Sequence, residues 1–162
     1  MRKTATRTLG TSLRHLIDLL DSDVQAIYEE DGLDFRPRYT PLIKALAERQ
    51  PLSIRELASA AGITHSAASQ SAAMMKRSGL VEQVDRTDAR ERAIRLTRKG
   101  KALLPKLETR WRATNSAAQE LDAELSSRLT QCVEEAIAAL EARPFRDRIR
   151  ARERRLIKGV RR

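Results

Sequence analysis

Thr64, His65, Ser66, Ser69 and Gln70 are short hydrogen-bonding side chains at helical spacing, and they share one face with Arg77. Hydroxyls at such a face reach phosphates or bases, and a glutamine amide can pair bidentately with adenine, so the chemistry on offer is contact with a duplex major groove. An acidic residue in the first turns would oppose the phosphates, and none is present. A solvated polar helix face has the same composition, so the neighbouring segments decide between the two. Lys76 and Arg77 close the helix, where cations suit the helix dipole whether or not they also meet a phosphate. Downstream, Arg86, Arg90 and Arg92 crowd a loop from Asp85 to Arg92, with Asp85 and Asp88 placed to brace it through hydrogen bonds to turn backbone or to arginine. An arginine at the tip of such a loop suits a minor groove, where a narrow groove concentrates negative potential; the alternative is a solvated charged hairpin.

Catalytic and metal chemistry find little support. Cys132 is the lone cysteine, and His15 and His65 are the only histidines, so neither a disulfide, a zinc set nor a nucleophile and base pair emerges. No phosphate-cradling glycine loop is present either. The expectation is a protein that is not an enzyme and needs no cofactor and no metal.

The elements that must position the polar face are legible around it. Ser53 can cap a helix whose Glu56 closes a capping box, with Ile54, Leu57, Ala58 and Ala61 on its apolar side. Gly62 supplies the positive φ of a tight turn, and Ile63 is placed to plug the space between two helices. The second helix starts at Thr64 or His65, ends at Ser78-Gly79, and is expected to bury Ala67, Ala68, Ala72 and Met75. Leu80 to Val84 and Ala93 to Thr97 read as the two strands of a hairpin. The fold class predicted is mainly α: a winged helix-turn-helix with a small antiparallel β wing and long N- and C-terminal dimerisation helices.

Those flanking helices are read from spacing. Leu9, Leu13, Leu16, Ile17, Leu20, Val24, Ile27 and Tyr28 recur at steps of three and four over about five turns. After an Asp31-Gly32 break, Tyr39-Thr40-Pro41 starts a short helix through Leu46, and Pro51 closes the loop after it. Leu103, Leu104, Leu107 and Trp111 begin another helix that Pro105 is placed to kink or loosen. Leu121, Leu125, Leu129, Val133, Ile137 and Leu140 continue the spacing, with an interruption expected near Leu125-Ser126-Ser127. Apolar faces this long exceed what one small domain can cover and imply a second chain. The organisation is therefore an N-terminal dimerisation helix over 1–30, a DNA-binding region over 38–100, C-terminal dimerisation helices over 101–142 and a basic tail over 143–162.

Charge agrees with a polyanionic partner. The net charge of the 162 residues is +10, of which Arg143 to Arg162 hold +8 and Lys76 to Lys101 hold +5, so the remainder is slightly acidic. The tail places Phe145, Ile149 and Leu156 on roughly one side of a helix; a frayed, solvated terminus is the alternative. With 3% aromatic residues the core must be built from aliphatic side chains, which favours helices over a sandwich or barrel. No apolar run approaches a signal peptide or a membrane span, so a cytoplasmic protein without a membrane partner is expected.

The order Pro51-Leu-Ser-Ile-Arg-Glu-Leu-Ala, Gly62-Ile-Thr-His-Ser-Ala-Ala-Ser-Gln, Arg77-Ser-Gly-Leu-Val and Asp88-Ala-Arg-Glu-Arg-Ala-Ile-Arg-Leu-Thr-Arg-Lys-Gly resembles the MarR-type winged-helix transcriptional regulators of bacteria and archaea. The resemblance is specific over residues 50–104 and looser in the flanks. It implies a homodimer whose intertwined terminal helices set two recognition helices on a palindromic operator in double-stranded DNA. It also implies that Arg90, in the Asp-x-Arg segment at Asp88 to Arg90, enters the minor groove; the middle residue is Ala89, where many members carry a second arginine. The implied function is transcriptional repression relieved by a small aromatic or phenolic ligand, for which His15, Arg14, Tyr28, Phe35, Tyr39 and Trp111 are the residues in matching segments; core packing explains these aromatics equally well. Some relatives sense oxidants through cysteine, but Glu134 and Glu135 beside Cys132 discourage a thiolate, and a buried structural cysteine is expected. Two rival readings are a non-specific nucleic-acid-binding structural protein and a protein-interaction adaptor.

Overall fold

The computed structural model describes residues 8–85 and 92–160. In chain order it holds α1 (Leu9–Glu30), a 3-10 turn (Pro37–Tyr39), α2 (Thr40–Glu48), β1 (Leu52–Ser53), α3 (Ile54–Ala61), α4 (His65–Arg77), β2 (Val81–Asp85), β3 (Arg92–Leu96), α5 (Arg98–Glu124), α6 (Leu129–Ala142) and α7 (Phe145–Val160). The fold is the expected winged helix, mainly α with a small antiparallel sheet, in two compact units, Met1–Arg110 and Trp111–Arg162.

Local chemistry sets the helix boundaries in the first unit. Thr8 caps α1 by accepting from the Thr11 amide at 3.3 Å. Ser53 and Glu56 form the capping box of α3: Ser53 Oγ accepts from the Glu56 amide at 3.2 Å and the Glu56 carboxylate accepts from the Ser53 amide at 2.7 Å. At the other end of α3, Gly62 adopts φ 64°, which lets the Ile63 amide return to the Ala58 carbonyl at 3.0 Å. A side chain with a Cβ is strained in that left-handed conformation, so glycine fixes this helix-to-helix corner. Ile63 is half-buried there.

The core of this unit is mostly aliphatic, but against expectation Tyr28, Phe35 and Tyr39 join it as its largest fully buried side chains. Leu42, Ile43, Leu46, Leu52, Leu57, Met75, Leu80, Leu96 and Leu107 are almost wholly buried, each such side chain contributing about 1.5–3 kcal/mol of hydrophobic stabilisation. On α4 the buried stripe is Ala68, Ser71, Ala72 and Met75, the i, i+3, i+4, i+7 set of one helical face. Ala67, expected in the core, lies off that stripe and is exposed, while Ser71 takes the place beside Ala72.

The sheet runs β1-β3-β2, all antiparallel. In the hairpin Val81 faces Leu96, Gln83 faces Ile94 and Asp85 faces Arg92. The expected loop therefore shortens: Asp85 and Arg92 are the last strand pair, and the connection is residues 86–91. The third strand, β1, pairs Leu52 with Ile94 and Ser53 with Ala93 and was not expected, because two residues show no alternation. Exposed Arg95 and half-buried Glu82 form a cross-strand ion pair at 2.7 Å.

Helix α5 begins at Arg98, ahead of the first leucine expected to start it, and remains helical through Pro105. Pro105 is exposed and has no amide hydrogen to donate to the Lys101 carbonyl. Thr97 starts the helix, its Oγ1 accepting from the Gly100 amide at 3.1 Å and its carbonyl from the Lys101 amide at 2.9 Å.

In the second unit the interruption expected near Leu125 separates α5 from α6. Arg128 at the head of α6 supplies no side-chain cap, and Asp122 does so instead, accepting from the Thr130 amide at 3.2 Å. Partial burial pushes the Asp122 carboxyl up, but hydrogen bonds from Thr130 and Leu129 more than offset this and leave it below its ordinary value. The basic segment is helical from Phe145 to Val160. Arg148 pins its start, donating from Nη2 to the Ala139 carbonyl at 2.8 Å and from Nε to the Arg143 carbonyl at 3.3 Å.

Candidate nucleic-acid interface

Helix α4 presents its polar face as a continuous exposed surface. Thr64, His65, Ser66, Ser69, Gln70, Lys76 and Arg77 are all exposed. Thr64 precedes the helix and caps it, its Oγ1 accepting from the Ala67 amide at 3.2 Å, which leaves the hydroxyl proton available to a further acceptor. The first turn has no acidic residue, so the positive end of the helix dipole is uncompensated. Toward the other end Gln70, Ala73, Met74, Lys76 and Arg77 line a shallow depression.

One cation near this surface was missed from sequence. Arg38, exposed and just ahead of α2, lies 5.8 Å over the Tyr39 ring and donates from Nη2 to Met74 Sδ at 3.3 Å. It thus stands beside α4 although 36 residues separate the partners in sequence. Arg36-Pro37-Arg38 is a local basic cluster, but only the packing of the 3-10 turn brings it to α4.

The foot of α4 is fixed to the sheet and to α5. Lys99 Nζ donates to the Ser78 carbonyl at 2.8 Å, and Thr97 Oγ1 donates to the Gly79 carbonyl at 2.6 Å. The Thr97 amide reaches the Leu80 carbonyl at 3.0 Å. Of the wing residues, Asp85 and Arg92 close the strands, whereas Arg86, Asp88 and Arg90 lie outside the described residues.

The sequence profile of the MarR family matches residues 32–91, which run from just after α1 through α4 to the end of the connection between β2 and β3. The match covers 60 of the 162 residues, so this segment is similar to the MarR family. That family consists of DNA-binding transcriptional regulators, not enzymes. Among solved structures, the M. tuberculosis transcriptional regulator MOSR in complex with DNA is similar with a TM-score of 0.68 and 22% identity, over 86% of this chain and 100% of that one. The MarR family transcriptional regulator SPO1453 from Silicibacter pomeroyi gives 0.58 and 23%, over 82% and 93%. The PcaV regulator of Streptomyces coelicolor in complex with its natural ligand gives 0.57 and 22%, over 86% and 99%. Likeness at these identities establishes a shared fold. A search of curated proteins found no match.

The residues considered for a MarR-type ligand are distributed differently. Tyr28, Phe35 and Tyr39 are at most 2% exposed. Their rings pack edge to face, Tyr28 on Phe35 at 5.2 Å and Phe35 on Tyr39 at 5.7 Å. They tie the end of α1 to the start of α2 as core. His15 is exposed on α1, and Trp111 is buried on α5. Cys132, expected to be buried, is exposed within the single chain, as are all its neighbours from Gln131 to Leu140 on α6.

Proposed function

We propose that this chain is a homodimeric, sequence-specific DNA-binding transcriptional regulator of the cytoplasm, acting as a repressor that a small-molecule ligand releases. The observation that carries the reading is the exposed, acid-free face of α4 from Thr64 to Gln70, capped at its N-terminus and held at its foot by Thr97 and Lys99. In this reading Ser66, Ser69 and Gln70 meet base edges, Thr64 and His65 meet the groove wall, and Lys76, Arg77 and Arg38 meet phosphates. Arg90 enters the adjacent minor groove, with Arg86 and Arg92 beside it and Asp85 and Asp88 bracing the loop.

Dimerisation is supported by apolar side chains that the single chain leaves open: Leu9, Leu13, Ile17 and Leu20 on α1, and Val133, Ile137 and Leu140 on α6. Two copies related by a twofold axis would present two α4 helices to a palindrome. Release by a ligand is supported by similarity to PcaV, solved with its natural ligand, and to NadR, solved with 4-hydroxyphenylacetate. Exposed His15 on α1 is the remaining candidate contact for a phenolic effector, since the Tyr28, Phe35 and Tyr39 rings are occupied with one another.

In vitro selection of bound duplex tests the reading. It should return a palindrome, and Gln70→Ala or Arg90→Ala should each weaken binding to it by about 10- to 100-fold, the worth of a good base contact. Recovery of no consensus would favour the non-specific structural protein, and unchanged operator binding in both variants would favour the adaptor.

A further inference from the structure

Most of the net positive charge of this chain is concentrated where the winged helix is not. Arg143 to Arg162 contain 10 basic and 2 acidic residues, against a net +10 for the whole sequence. Phe145–Val160 of it form a 16-residue helix, α7, and Arg148 fixes its start against the carbonyls of Ala139 and Arg143. Its cations are therefore presented by a formed element and not by a frayed end.

Their arrangement is ordered. Arg146, Arg150 and Arg154 follow one another at i, i+4 and i+8, which places a guanidinium about every 6 Å along one ridge of the helix. Arg152 and Arg155 lie on the other side of the apolar stripe of Phe145, Ile149 and Leu156. Arg150, Arg152, Arg154 and Arg155 are all exposed. Among the described residues, the ion pair on α7 is Arg146 with Asp147 at 3.9 Å. Like charges four residues apart oppose helix formation unless something neutralises them. A polyanion does so over the full length of the ridge.

We propose that α7 is a second DNA-binding element, one that grips the phosphate backbone of a duplex without reading its sequence. Charge complementarity selects this occupant: guanidinium forks match phosphate oxygens bidentately, and phosphates follow one another closely enough along a duplex for several to meet the ridge together. The apolar stripe is narrow, with Arg152 and Glu153 at its borders, which is a poor match to the broad apolar face of a helix lying in a lipid interface. The proposal extends the DNA-binding reading above but does not rest on sequence recognition by α4.

The test uses the full chain and the salt dependence of its binding to a short random-sequence duplex and to a selected duplex. R150Q/R154Q removes two phosphate contacts, so the slope of log affinity against log salt should flatten by about 1.8 on both duplexes. Over a fourfold rise in salt the unaltered protein would then lose about tenfold more affinity than the variant. R150K/R154K, which keeps the charge, should retain most of the slope, and circular dichroism should show the helix content of all three proteins unchanged. Gln70→Ala should instead erase the preference for the selected duplex and leave the slope on random duplex intact, so the two readings fail separately. An unchanged slope for R150Q/R154Q on random duplex overturns the proposal. The same result with loss of binding to anionic phospholipid vesicles assigns the ridge to a membrane surface instead.

Discussion

A Cβ placed on Gly100 would sit 2.2 Å from the Leu80 carbonyl oxygen and 3.2 Å from the carbonyl carbon. Both are backbone atoms at the junction of α4 and β2, and the same carbonyl already accepts from the Thr97 amide. They cannot yield as a flexible side chain would, so the gain in helix propensity from Gly100→Ala is outweighed by overpacking. We expect that variant to be destabilised by about 1–3 kcal/mol, seen as a lowered denaturation midpoint at unchanged m-value, with reduced DNA binding from a displaced foot of α4. A midpoint at or above that of the unaltered protein would show that α5 does not need this close approach. Arg38 sits at the same scale but acts differently: its contacts with Tyr39 and Met74 hold a cation beside the recognition helix without making it part of that helix.

Between elements, one ion pair ties the end of α1 to α5: Arg110 donates from Nε and Nη2 to the two carboxylate oxygens of Asp31. The hydrogen bond from Arg110 holds the Asp31 carboxyl below its ordinary value of 3.8, against a smaller upward push from partial burial. Because the folded value is the lower one, the unfolded chain takes up the proton first as pH falls; the stabilisation is present above the ordinary carboxylate range and lost below it. Asp31→Asn should flatten the acid side of the stability-against-pH profile, and an acid limb of unchanged steepness would remove the pair from the account. Sequence reading did not find this contact, since it joins residues 79 apart and each is unremarkable in its own segment. What it did find were features written locally: the Ser53-Glu56 box, the Gly62 corner, the Ser78-Gly79 stop and the strand alternation on either side of the wing. Features created by packing escaped it. Ser71 went unnoticed as core because its hydroxyl marked it polar, β1 because two residues have no period, and the Asp122 cap because it reaches α6 from eight residues away.

For the molecule as a whole, the proposed homodimer rests on the distribution of exposed apolar side chains. Leu9, Leu13, Ile17 and Leu20 are 43–70% exposed on α1, and only Tyr28 of that helix is buried. Replacing Leu13 and Ile17 by glutamate should leave the winged-helix unit folded, because neither side chain contributes to its core, while sedimentation velocity shows a monomer and affinity for a palindromic duplex falls toward that for a single half-site. A dimer of unaltered mass would place the interface elsewhere. The joint at the foot of the recognition helix has a mechanical meaning within such an assembly. Three consecutive carbonyls, those of Ser78, Gly79 and Leu80, are held by Thr97 and Lys99 at the start of α5. The first residues of α5 are therefore fastened to the turn that ends α4, and a strain applied at either end of that joint is felt at the other.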